Sequence, residues 1–264
     1  MDIREAIEKL VNRVDLSEEE TISVMNQIMT GEATPLQVAS FLTALRMKGE
    51  TMQEITGAAR GMREKVHRIR AKADLVLDIV GTGGDQKGTI NISTASAFVV
   101  AGAGITVAKH GNRSVSSKSG SADVLTALGV KIDASKERVE ECLEKIGIGF
   151  LFAPLLHEAM KYAVQPRREI GIRTIFNLLG PLTNPAFATH QLTGIYDGAL
   201  TELIAQVLKN LGTVRAMIVH GLEGLDEISI SGPTRVSELR NGQILNYTLT
   251  PEEVGIKRCR LEEI

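Results

Sequence analysis

From residue 74 onward the chain alternates short apolar runs with longer segments of helical pattern, and this alternation constrains the fold more than any other feature. The runs are DLVLDIV (Asp74 to Val80), ITVAKH (Ile105 to His110), GIGFLFAP (Gly147 to Pro154), LTGIY (Leu192 to Tyr196) and RAMIVHG (Arg215 to Gly221). Between them, Thr94 to Ala103, Ala122 to Leu128, Arg138 to Ile146 and Thr201 to Leu211 read as helices. Strands joined by helices form crossover units, so an α/β fold is expected, with a mostly parallel sheet and helices on both faces. Ligands of such sheets sit beyond the carboxyl ends of the strands. Near the end, TRVSELRNGQILNYTLT places two extended runs around Asn241-Gly242, a dipeptide that favours a hairpin turn.

The first seventy residues read as a small all-helical domain. Ser17 with Glu20, Thr34 with Gln37 and Thr51 with Glu54 have capping-box spacing, and Pro35 stands where a first helical residue tolerates it. Leu36, Ala39, Phe41, Leu42 and Leu45 then form an apolar stripe, either core or a face for a second subunit. The stretch from Pro154 to Pro185 is helical in pattern and holds no strand. The expected organisation is a helical domain over 1–70, joined by helices from 155–190, and an α/β domain over 71–154 and 191–264.

Composition excludes several functions. A formal net charge of −2, no Trp and 3% aromatic residues leave neither the electrostatic attraction nor the stacking surface that nucleic acid needs. No apolar run approaches the roughly 18 residues of a membrane span, so a cytoplasmic protein without membrane contact is expected. Cys142 and Cys259 stand alone, which supports neither a zinc site nor a disulfide framework.

Three strand ends carry polar motifs. The first, GTGGDQKGTINIST (Gly81 to Thr94), lacks the third glycine of a dinucleotide fingerprint, because Gln86 occupies that position. It also lacks the Gly-Lys-Ser/Thr of a P-loop, having Lys87-Gly88-Thr89 instead. What remains is a glycine-rich turn followed by Asn91, Ser93 and Thr94 at a helix start, where unpaired amides attract phosphate. An ordinary turn with an N-cap would look the same. The second, KHGNRSVSSKSGSADVLTALG (Lys109 to Gly129), repeats the design with Lys109, Arg113 and Lys118 as cations and Ser116, Ser117, Ser119 and Ser121 as donors. The third, GLDEIS (Gly224 to Ser229), pairs Asp226 with Glu227, hard oxygen donors of the kind that bind Mg²⁺ beside a diphosphate. A fourth segment, QPRREIGIRTIFNLLGPLTNP, supplies Arg167, Arg168 and Arg173 in a stretch beginning after Pro166, and an Arg fork suits a carboxylate.

Taken in order, Gly81-Thr-Gly-Gly-Asp85, Asn91-Ile-Ser-Thr94, Lys109-His-Gly-Asn112 running into Ser116-Ser117, Arg167 ahead of Gly171-Ile-Arg-Thr-Ile-Phe-Asn-Leu-Leu-Gly-Pro-Leu, and Asp226-Glu227 resemble the anthranilate phosphoribosyltransferase family. The resemblance is collinear over nearly the whole chain. It implies a fold similar to that of the pyrimidine nucleoside phosphorylases. It also implies transfer of the 5-phosphoribosyl group from phosphoribosyl pyrophosphate to the amine of anthranilate in tryptophan biosynthesis, with two Mg²⁺ ions and a homodimer joined through the helical domain.

By the same resemblance, Gly81, Gly84, Asp85, Thr89, Asn91, Ser93, Thr94, Lys109, Ser117 and Ser121 match the phosphoribosyl pyrophosphate site. Gly81, His110, Gly111, Asn112 and Arg167 match the surroundings of anthranilate, and Ser93, Asp226 and Glu227 match the metal positions. No general acid or base is implied; Lys109 acts electrostatically. A phosphorolytic relative using inorganic phosphate would have no need of the Asp226-Glu227 pair, and a relative that only binds phosphosugars would show no turnover. Glu223 and Glu158 stand where the family more often has Asp and Pro. The chain ends at CRLEEI, where the resemblance leads one to expect further helices.

Overall fold

Side chains close the helix starts at the amino end. The structure, a computed structural model, describes residues 1–83, 88–113 and 120–263. Asp2, Ser17, Thr34 and Thr51 each accept a main-chain N–H of the turn that follows, and each is answered by a Glu or Gln three residues on. They open α1 (Ile3–Val11), α2 (Glu18–Thr30), α3 (Pro35–Lys48) and α4 (Met52–Glu64). The chain continues through β1 (Val76–Gly81), α5 (Ile92–Gly102), β2 (Thr106–Gly111), α6 (Ser121–Ala127), α7 (Lys136–Ile146) and β3 (Ile148–Phe152). Then come α8 (Ala153–Leu156), α9 (Lys161–Ile170), α10 (Phe176–Leu182), β4 (His190–Gly194), α11 (Thr201–Asn210), β5 (Arg215–Gly221), β6 (Thr234–Arg240) and β7 (Gln243–Leu249).

The chain divides into two units, Met1–His67 with Pro154–Pro185, and Arg68–Ala153 with Ala186–Ile264. In the helical unit, Gly57 and Gly61 let α4 lie directly on α2. A Cβ at Gly57 would stand 2.5 Å from the Glu18 carbonyl, and one at Gly61 2.8 Å from Met25 Cβ. Glu54, beyond its capping role, is fully buried and takes the Leu16 N–H at 3.0 Å and the Lys48 ammonium at 2.9 Å, tying three segments together. The inward stripe of α3 is Val38, Phe41, Leu42 and Leu45, all buried. Leu36, read in the same stripe as either core or a subunit face, is not part of this core: it is 78% exposed. At about 100° per residue, Leu36 points some 200° away from Val38, on the opposite face. Truncating the fully buried Phe41 to Ala would cost roughly 3–5 kcal/mol. Helix α9 also differs from expectation, since it runs through Pro166 instead of starting after it. The missing proline N–H falls where Tyr162 would have been its acceptor, one lost bond that the helix tolerates.

In the other unit a seven-stranded sheet has the order β3-β2-β1-β4-β5-β6-β7. The first five strands in that order are parallel. Strands β6 and β7 are antiparallel, joined by Asn241 and Gly242 with φ of 51° and 72°, the left-handed pair a tight hairpin requires. The chain moves outward from β1 to β2 and β3, then returns to place β4 on the other side of β1. That reversal is the switch point at which a crevice opens beyond the strand ends. Helix α5 packs on β1 and β2 through Ala97, in a cluster with Ile79 and Val107.

Candidate functional site

The ends of β1, β4 and β5 meet around Asp226. Beyond β5, Gly221 N–H donates to the Leu225 carbonyl at 2.9 Å, folding the chain back so that the next residue lies across the neighbouring strand ends. Asp226 is buried, and its Oδ2 accepts the Gly83 N–H at 2.8 Å. A Cβ at Gly81 would stand 2.9 Å from that oxygen, and one at Gly194 only 1.5 Å from the Asp226 carbonyl. Gly81 and Gly194 are thus the glycines that admit the acid. Thr82 completes the junction, with its N–H on the Gly194 carbonyl at 2.9 Å and its hydroxyl accepting the Tyr196 N–H at 3.1 Å.

On the other side of β1, side chains replace part of the strand ladder. Strands β1 and β2 are in register at Val76 with Thr106 and Leu77 with Val107. Further along, Lys109 Nζ donates to the Ile79 carbonyl at 2.6 Å, and the His110 N–H donates to Asp78 Oδ1 at 3.0 Å. Lys109 Nζ also donates to Ser93 Oγ at 3.1 Å, in the first turn of α5. Burial pushes the Lys109 ammonium down to about 8, against the opposing pull of the Asp78 and Glu227 carboxylates. Asp78 was not singled out from the sequence; its signal was a lone acid inside an otherwise apolar strand run.

Helix α5 begins at the cap Asn91, whose side chain accepts the Thr94 N–H at 3.2 Å. Thr94 is buried, and its Oγ1 has no hydrogen-bond partner among the described residues. Thr89, half-buried, precedes it. At the end of β2, a Cβ at Gly111 would meet the Phe150 ring at 2.7 Å and Ser121 Cβ at 3.2 Å, so the glycine allows β2 and α6 to approach. Asn112 is exposed, and its carbonyl accepts the Ala122 N–H at 3.2 Å. The His110 side chain is buried at 5% exposure. Arg113, expected among the cations for phosphate, pairs with Asp123 at 2.9 Å. Gly84, Asp85 and Ser117, with Ser116, Lys118 and Ser119, lie outside the described residues.

In the helical unit Arg167 is half-buried, its guanidinium carbon 4.9 Å from the centroid of the Phe176 ring, within cation–π range. His157 is buried, and burial pushes its imidazole down to about 4, so it is neutral and packed at neutral pH.

Asp226, Glu227 and Ser93 offer hard oxygen donors. Among the described residues no group of three or more His, Cys, Asp or Glu could hold a metal alone. Mg²⁺ is commonly held by one or two carboxylates together with phosphate oxygens and water, a donor set to which Asp226 and Glu227 are chemically suited.

Both units match one class of protein, the two-domain glycosyl transferases. Residues 73–264 match the family described as the glycosyl transferase family a/b domain, and residues 4–66 match its helical bundle domain. The chain belongs to the anthranilate phosphoribosyltransferase family, the pentosyltransferases that move a phosphoribosyl group from phosphoribosyl pyrophosphate to anthranilate in tryptophan biosynthesis. It is 56% identical over 262 residues to the anthranilate phosphoribosyltransferase of Acetivibrio thermocellus, across 99% of this chain and 76% of that protein. The crystal structure of the Thermus thermophilus enzyme superposes with a TM-score of 0.92 at 48% identity, covering 98% of this chain and 77% of the other. The Saccharomyces cerevisiae enzyme in complex with phosphoribosyl pyrophosphate and Mg superposes at 0.89 with 28% identity, covering 99% and 76%.

Proposed function

We propose that this chain transfers the 5-phosphoribosyl group from phosphoribosyl pyrophosphate to the amine of anthranilate, releasing pyrophosphate, and that the diphosphate is held where β1, β4 and α5 converge. The observation that carries the reading is the buried Lys109 ammonium tied to Ser93 at the start of α5, on the opposite side of β1 from the buried Asp226. Gly81, Gly84, Asp85, Thr89, Asn91, Ser93, Thr94, Lys109, Ser117 and Ser121 are assigned to phosphoribosyl pyrophosphate. His110, Gly111, Asn112 and Arg167, with Gly81, are assigned to anthranilate.

In the reaction the amine nitrogen bonds to the ribose C1′ as the C1′–O bond to the diphosphate breaks, the electron pair leaves on pyrophosphate, and one amine proton is released to solvent. An aromatic amine is neutral near pH 7, so the residues need not deprotonate it beforehand. Their task is charge: Lys109 and the amides at the α5 start face negative charge growing on the leaving group, and preorganised donors of this kind stabilise it without reorganising. Holding both substrates in line supplies much of the remaining acceleration. Asp226, Glu227 and Ser93 are assigned to two Mg²⁺ ions, which when bound offset charge on the diphosphate oxygens.

A homodimer joined through the helical unit belongs to the same reading, supported by the exposed apolar side chains Leu36 and Met47 of α3, at 78% and 71%. No helix among the described residues is long and apolar enough to cross a membrane, and we place the chain in the cytoplasm. The deciding experiment follows anthranilate fluorescence with phosphoribosyl pyrophosphate and Mg²⁺, beside a cell with chelator. Metal-dependent loss of signal is expected. Loss that needs only ribose 1-phosphate, or none with a folded chain, would refute the assignment.

A further inference from the structure

The loop that carries Asp226 and Glu227 is closed at its neck by a carboxylate with no role in the reading above. Glu223 Oε1 accepts the hydroxyls of both Ser229 and Ser231. Ser229 Oγ in turn accepts the main-chain N–H groups of Ser231 at 2.9 Å and Gly232 at 3.0 Å. The carboxylate is enclosed by two glycines, for a Cβ at Gly232 would stand 3.0 Å from Glu223 Oε2 and one at Gly221 3.2 Å from it. Leu222 N–H reaches the Pro233 carbonyl at 2.9 Å, and Ser229 N–H reaches Thr234 Oγ1 at 2.9 Å. The residues before the acid pair and those after it are therefore fastened to one another.

We propose that Glu223 is a positioning residue for the acid pair: by gathering Ser229 and Ser231 it closes the segment 224–228 into a short loop of fixed shape that presents Asp226 to the ends of β1 and β4. The inference rests on the assignment of Asp226 and Glu227 to magnesium. Its physical basis is the Asp226 main chain, which fits against Gly194 with no room to spare and so requires the loop to hold one path. A loop closed at the neck has little backbone freedom left to lose when a cation and its phosphate partners bind. Partners that orient metal-binding side chains are worth roughly 10- to 100-fold in metal affinity.

The test is calorimetry of inorganic pyrophosphate binding to the full chain at a series of Mg²⁺ concentrations, with pyrophosphate alone as the metal-free control. Glu223→Ala is expected to raise the Mg²⁺ concentration for half-maximal binding roughly tenfold while leaving metal-free binding unchanged. Glu223→Gln keeps a carbonyl oxygen in place for both hydroxyls and is expected to stay within about threefold of the parent. If Gln is as damaging as Ala, the charge matters and the tie is overturned. If Ala leaves the metal dependence unchanged, the inference also fails. Should Glu223→Ala not fold, the double variant Ser229→Ala with Ser231→Ala removes the same tie from the other side and must show the same shift. Asp226→Asn separates the two levels: a metal dependence unmoved by it overturns the magnesium assignment, and this inference with it. A dependence moved by Asp226→Asn and unmoved by Glu223→Ala overturns this inference alone.

Discussion

Gly194 lies against the main chain of Asp226 so closely that a Cβ on the glycine would stand 1.5 Å from the aspartate carbonyl oxygen. The two residues are far apart in the chain, and what joins them is the sheet order, which places β1 between β2 and β4 and β5 beyond β4. Gly194→Ala must therefore push the acid loop away or distort β4. The expected outcome is a loss of about 1–3 kcal/mol of stability in urea unfolding, the usual range for overpacking, accompanied by a higher Mg²⁺ requirement. An unchanged requirement would show that the loop position has no bearing on metal use.

Lys109 is expected to set an alkaline limit on activity. Burial holds its ammonium down to about 8, so it is charged at neutral pH and loses its proton as the pH rises through that value. The expected kcat/KM falls above pH 8, because that parameter reports groups of the free enzyme. Lys109→Met, which keeps the bulk of the stem and removes the charge, should lower kcat/KM by roughly 100-fold or more and abolish this limb. A limb that persists in the methionine variant would assign it to another group.

Arg167→Ala should raise KM for anthranilate by roughly tenfold or more, the scale of a lost charged hydrogen bond, with the affinity for phosphoribosyl pyrophosphate nearly unchanged. Its guanidinium lies 4.9 Å from the Phe176 ring centroid, and Arg167→Lys, which keeps the charge and loses the planar fork, is expected to behave like alanine. Equal losses for both substrates in steady-state kinetics would remove the residue from that role.

His157 couples stability to pH. Burial depresses its pKa to about 4, so the folded state prefers the neutral ring and the unfolded chain binds the extra proton. Its contribution is complete above the ordinary imidazole value of 6.5 and is lost as pH falls from there towards 4. A shift of this size removes roughly 2 kcal/mol between pH 7 and pH 5. Urea unfolding of the parent should show that loss, and His157→Phe should flatten it; a variant with the same pH slope as the parent would place the titration elsewhere.

Much of the architecture was legible because it is local. Capping boxes at Ser17, Thr34 and Thr51 act within one turn, and the apolar runs of β1, β2, β3 and β5 are the short continuous runs that strands covered on both faces require. The spacing of the α3 stripe left open whether Leu36 faces the core, because helical spacing selects a face only when its phase is known, and Val38 sets that phase. Pro166 was read as a boundary because proline usually is one, yet α9 continues past it.

The sequence by itself determined the helices and strands, the glycine-rich turns and the ordered motifs by which the family is recognised, since each depends on residues a few positions apart. Only the tertiary structure decided that Gly81 and Gly194 make room for Asp226, that Lys109 and Asp78 stand in for a lapsed stretch of the β1–β2 ladder, and that Glu223 fastens the acid loop. The physical reason is that these contacts join chain ends brought together by strand order, and strand order leaves no periodic trace in the residues that it unites.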